Sequence, residues 1–154
     1  MTARLTLVLA ALLAAAPAAA PAAAQDAVAQ EFREAASAAV LYDGPSDRAQ
    51  KRFIVVQGTP LEVVSSLGSW VKVRDYGGDV FWIAGDQLAP ARHIVVARAL
   101  ASVRRSPGEV AELVFQAERG VMLEVAGDAP TGWLRVRHRD GTVGFIRAEE
   151  TWGR

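Results

Sequence analysis

Cysteine is missing from the 154 residues of this chain. That excludes disulfides, thiolate metal sites, a cysteine nucleophile and a lipid-modified cysteine at an export cleavage site. It leaves the redox compartment open, because many exported proteins also do without cysteine. An excess of charge of either sign is missing too: 17 basic side chains balance 17 acidic ones, so no bulk field draws nucleic acid or an acidic substrate. Histidine is scarce, and His93 and His138 are the only candidates for a neutral-pH base or a nitrogen metal ligand. Neither stands in a triad or a metal-ligand spacing, and the serines and carboxylates are scattered through turns without a nucleophile elbow or an acid pair. The expectation is a non-enzymatic protein with no metal site and no cofactor.

A long apolar run occurs once, at the start. Arg4 precedes an apolar stretch from Leu5 to Ala16, followed by Pro17 and alanines ending at Ala22-Ala23-Ala24. A basic residue, an apolar core and a small-residue exit in this order predict a signal peptide over residues 1–24, cleaved between Ala24 and Gln25, with Ala20 as second choice. The competing reading is a membrane-spanning helix from Leu5 to Ala24. Weakly apolar alanines and the interruptions at Pro17 and Pro21 favour processing. The mature protein is then periplasmic or secreted, without stable membrane insertion. Residues 25–37 read as a linker, too short for a helix that is stable without packing.

What the rest of the chain has in quantity is short β-type runs between turn residues. The clearest is Trp133 to Ile146, where Leu134, Val136 and His138 alternate with Arg135, Arg137 and Arg139 and predict a strand with one apolar and one basic face. Asp140-Gly141 then predicts a tight two-residue hairpin turn. A near-copy lies upstream. Pro45 and Pro107 stand 62 positions apart, as do Phe53 and Phe115, Gly58 and Gly120, and Leu61 and Leu123. After one added loop residue the offset becomes 63, relating Trp70 to Trp133, Val73 to Val136 and Ile83 to Ile146. A constant offset broken by one insertion predicts two copies of one domain, over residues 38–90 and 91–154. The fold class expected is all-β: two tandem small β-barrels of about five strands each.

Both copies resemble the bacterial SH3-like domain. The second carries Val103-Arg104-Arg105-Ser106-Pro107, Gly120, Leu123-Glu124-Val125, Trp133-Leu134-Arg135-Val136 and Gly144-Phe145-Ile146. The first carries Leu41-Tyr42-Asp43-Gly44-Pro45, Gly58, Leu61-Glu62-Val63, Trp70-Val71-Lys72-Val73 and Phe81-Trp82-Ile83. Three positions depart from the family pattern: Tyr42 replaces an arginine, Phe81 a glycine before the closing aromatic, and Ser106 the opening glycine. Domains of this kind often accompany cell-wall peptidases or amidases, but the chain leaves no room for a catalytic domain. The resemblance implies an exported cell-envelope binding module that recognises a peptide, peptidoglycan or a protein partner, with no nucleic acid. The alternative is a structural or assembly factor of an envelope complex.

The candidate binding residues are Tyr42, Trp70, Lys72, Arg74, Trp133, Arg135 and Arg137. Strand parity puts Trp70, Lys72 and Arg74 on one face and Val71 and Val73 on the other; Trp133, Arg135 and Arg137 repeat the arrangement against Leu134 and Val136. A tryptophan beside a basic ladder suits carboxylate or phosphate groups and stacking on sugars or peptides. In the competing reading the arginines only pair with Glu62 and Glu124 on the neighbouring strand. Trp82 and Phe145 are expected at core or near-core positions.

Overall fold

The computed structural model describes residues 30–154; the expected leader and its Ala24-Gln25 exit lie outside them. The first repeat contains β1 (Glu31–Ala35), β2 (Ala39–Tyr42), β3 (Lys51–Val55), β4 (Pro60–Leu67), β5 (Trp70–Arg74), β6 (Val80–Ala84) and β7 (Leu88–Pro90). The second repeats them as β8 (His93–Val96), β9 (Leu100–Arg104), β10 (Leu113–Glu118), β11 (Met122–Val125), β12 (Trp133–Arg137), β13 (Val143–Arg147) and β14 (Thr151–Trp152). A 3-10 turn precedes the last strand of each, at Gly85–Gln87 and Ala148–Glu150.

Each repeat is one antiparallel seven-stranded sheet, ordered β3, β2, β6, β5, β4, β1, β7 and, in matching fashion, β10, β9, β13, β12, β11, β8, β14. The all-β class and the tandem repeat are as expected, but each copy holds seven strands rather than about five. The additions are the outer pair of each sheet, β1 with β7 and β8 with β14. Residues 31–35, expected in the linker, form β1, which pairs with β4 from Glu31↔Val63 to Glu34↔Pro60 and with β7 from Arg33↔Pro90 to Ala35↔Leu88. Its sequence Glu-Phe-Arg-Glu-Ala has no apolar alternation, and its last two residues are both buried. Long-range ladder bonds, not a local pattern, make it a strand.

Alternation does set the core. Leu41, Leu61, Val73 and Ile83 are fully buried in the first cluster, and their repeat partners Val103, Leu123, Val136 and Ile146 in the second. Residues from β2, β4, β5 and β6 meet in one cluster, so the sheet curls around it. Burying each such side chain stabilises the fold by about 1.5–3 kcal/mol. The same parity corrects the placement of Trp82. Phe81 and Ile83 take the inward positions of β6 and leave Trp82 half-buried between them in sequence, on the outward face. In β13, Gly144 and Ile146 point inward and Phe145 stays half-buried.

The hairpin turn is one residue longer than expected. His138 donates its amide N–H to the Thr142 carbonyl (2.8 Å), and Gly141 donates to the His138 carbonyl (2.9 Å). Gly141 has φ +90°, as in a three-residue loop closed by a glycine bulge. Asp75 to Asp79 repeat this loop with Gly78 at φ +95°.

The two repeats meet at Glu34. Its buried carboxylate accepts the backbone N–H groups of Arg92 (2.6 Å) and His93 (3.0 Å), and its Oε2 lies 3.0 Å from His93 Nδ1. Phe32 meets Trp152 edge-on, 5.0 Å between ring centres. Thus β1 of the first repeat touches both ends of the second.

Candidate functional site

The outward face of the first sheet is built by register. Antiparallel pairing sets Trp70 opposite Ala84 and Lys72 opposite Trp82, and β2 brings Tyr42 opposite Trp82. Paired residues point to the same side of a sheet, so five positions from three strands share one surface. Tyr42 and Trp70 meet edge-on, 5.3 Å between centres at 87°, a favourable aromatic geometry. Lys72 Nζ sits 5.6 Å from the Trp82 ring centre, a cation–π contact. Tyr42, Trp70 and Ala84 line a cleft of about 350 Å³ together with Asp47 and Asp86. Asp47 comes from the β2–β3 loop, which is held by the Asp43 carboxylate accepting the Gln50 N–H (3.0 Å). Asp86 comes from the 3-10 turn after β6.

The second repeat builds a cleft at the same place with different contents. Trp133 pairs with Arg147 as Trp70 pairs with Ala84. The Arg147 guanidinium carbon lies 5.2 Å from the Trp133 ring centre, and the same guanidinium forms an ion pair with Glu109. Arg104, at the position of Tyr42, donates from Nη1 to the Ala111 carbonyl (2.7 Å). The remaining cleft measures about 190 Å³ and is also lined by Glu149 and Glu150.

The structure therefore divides the expected binding residues. Tyr42 and Trp70 form one cleft, Lys72 adjoins it on Trp82, and Trp133 occupies the equivalent place in the second repeat. Arg74 does not extend a basic ladder, because its Nη1 donates to Glu62 Oε2 at 2.8 Å. Arg137 likewise donates to Glu124 (3.1 Å). These are the cross-strand pairs of the competing reading. Arg135 is exposed and forms no ion pair among the described residues. Asp47, Asp86, Glu109 and Arg147 were not among the expected site residues. The signal was present in the repeat, since the offset relates Asp47 to Glu109 and Asp86 to Glu149, acidic in both copies.

A third opening, about 450 Å³, also lies on the second repeat, among Phe115, Glu118, His138 and Asp140. His138 packs at a tilt against Phe115, 5.7 Å between rings, and its Nδ1 lies 3.0 Å from Asp140 Oδ2. Hydrogen bonds from the Thr142 backbone and side chain, and then from His138, hold the Asp140 carboxyl down at about 2. Among the described residues no three metal-ligating side chains gather, and no helix is long and apolar enough to cross a membrane.

No curated protein matches the chain. Among solved structures it is similar to NlpC2 from Trichomonas vaginalis, at 12% identity and TM-score 0.36 over 81% of this chain and 48% of that one. It is also similar to an NlpC/P60 family protein from Bacillus cereus, at 16% identity and TM-score 0.38 over 79% of this chain and 56% of that one. The chain thus spans about half the length of the solved structures it matches. The bacterial SH3 domain family matches twice, over residues 35–89 and residues 97–153. The first stretch takes in β2 to β6 and the second β9 to β14, leaving out most of β1 and all of β8, and the chain belongs to the bacterial SH3 domain family, carrying two copies in tandem.

Proposed function

We propose that the protein is a non-catalytic, exported module of the cell envelope that binds a peptide, peptidoglycan or protein partner through the outward aromatic face of its SH3 domains. The observation that carries this reading is the Tyr42–Trp70 pair, half-buried and lining an open cleft of about 350 Å³. Rigid aromatic rings lose little conformational entropy when covered, which suits them to anchoring a ligand. A second, related face on the same chain adds avidity when both engage one partner. Envelope location is supported by the family and by the signal-peptide pattern of the first residues.

The test is a crosslinking pull-down from envelope extract, run beside sedimentation with isolated sacculi. Tyr42→Ala with Trp70→Ala should lower retention about tenfold or more, as expected when two aromatic anchors are lost. Retention equal to that of the unaltered protein would overturn the assignment of this face.

The junction supports a second reading, that of an assembly factor. Glu34 joins the repeats through three contacts to Arg92 and His93, as a rigid two-domain spacer requires. Co-purification of a single envelope protein without sacculus binding is the outcome that favours it.

A further inference from the structure

We infer that the cleft of the first repeat takes a guanidinium: an arginine side chain on a polypeptide partner, seated over Trp70 between Asp47 and Asp86. This rests on the binding-module reading above and deepens it.

In the second repeat the same cleft already contains such a group. Arg147 lies over Trp133 and pairs with Glu109. Its counterpart across the repeat is Ala84, which holds the same register opposite Trp70. The other cation of the second cleft, Arg104, is replaced by Tyr42. The acids persist: Asp47 stands where Glu109 does, and Asp86 where Glu149 does. The first repeat thus keeps the tryptophan and the carboxylates while losing both cations, and among the described residues neither Asp47 nor Asp86 has a cationic partner. The space follows the side chains, at about 350 Å³ in the first cleft against about 190 Å³ in the second. An aromatic floor with two unneutralised carboxylates attracts a cation and repels an anion. A guanidinium fits better than an ammonium, since its flat face stacks on indole while its N–H fork reaches more than one acceptor. Lys72, on the same face, has its Nζ over the Trp82 ring and does not line the cleft.

The experiment titrates the purified protein with the blocked tripeptide Gly-Arg-Gly and with its citrulline analogue, which keeps the shape and removes the charge. Chemical shifts of the Trp70 indole and the Tyr42 ring are followed by NMR. A saturable shift with arginine, at least about tenfold weaker with citrulline, is expected. Ala84→Arg should install the occupant of the second repeat and abolish the response at Trp70, with thermal stability unchanged or raised. Arg147→Ala combined with Arg104→Tyr, which removes both cations of the second cleft, should make Trp133 respond as Trp70 does. Equal shifts with arginine and citrulline, or an Ala84→Arg protein that responds like the unaltered one, would overturn the inference. So would a muropeptide with a free side-chain amine that binds Trp70 more tightly than the arginine peptide. The pull-down keeps the two readings apart: a partner retained equally by Ala84→Arg leaves the module standing and removes the arginine site, whereas the titration reads the site even when no partner is captured.

Discussion

Arg147 lies over the ring of Trp133, its guanidinium carbon 5.2 Å from the ring centre. The partner of Trp70 at the same register is Ala84. Two copies of one domain have therefore diverged where a ligand would sit, while their cores stayed alike. Arg74 and Arg137 diverge as well, although both pair with a glutamate on the next strand. Glu62 is 8% exposed and also accepts from the Gln30 amide at 3.2 Å, whereas Glu124 is only half-buried.

That difference separates two substitutions. Arg74→Ala should destabilise the protein by about 1–3 kcal/mol, because it leaves a buried carboxylate short of its charged partner. Arg137→Ala breaks a pair open to solvent and should cost less than about 1 kcal/mol. Urea denaturation of both variants checks the order.

At the junction, Glu34→Ala leaves the N–H groups of Arg92 and His93 without their acceptor, at a cost of about 2–3 kcal/mol. Glu34→Gln keeps an acceptor and should cost less. Hydrogen exchange should quicken at His93 in Glu34→Ala and stay slow at Leu123, which is fully buried in the second core.

Asp140 makes stability depend on acid. Its carboxyl has an ordinary value of 3.8 and is lowered to about 2 in the fold by hydrogen bonds from Thr142 and His138. A lowered carboxyl contributes stability that is fully present above the unfolded value and is lost as pH falls through the folded one. Asp140→Asn should therefore unfold at a lower temperature than the unaltered protein near neutral pH, and the gap should close between about 4 and about 2. Thermal melts across that range read it directly.

Gly144 tests the packing of the second repeat. A Cβ there would lie 2.5 Å from Val103 Cγ1 and 2.8 Å from the Arg104 carbonyl oxygen. Gly144→Ala should cost about 2–3 kcal/mol through overpacking. Gly132→Ala, at φ +86° with nothing within 4 Å, should cost only about 1 kcal/mol, for backbone strain. Melting temperatures of the two variants give the comparison.

By itself the sequence determined the parts whose causes are local. Period-two alternation turned Val71 and Val73, and Leu134 and Val136, to the inward side, and Val73 and Val136 are fully buried, because successive side chains of a strand point to opposite faces whatever the strand pairs with. The repeat offset determined that this core is built twice. Tertiary structure decided everything that needs a partner from far along the chain. Residues 31–35 became a strand only because β4 and β7 offer them hydrogen bonds, and Glu34 became a clamp only because Arg92 and His93 are brought to it. Strand parity placed Trp70 and Trp133 on outward faces, but it could not tell which tryptophan would be covered. That depended on Arg147 reaching across one sheet where Ala84 is too short to do so on the other.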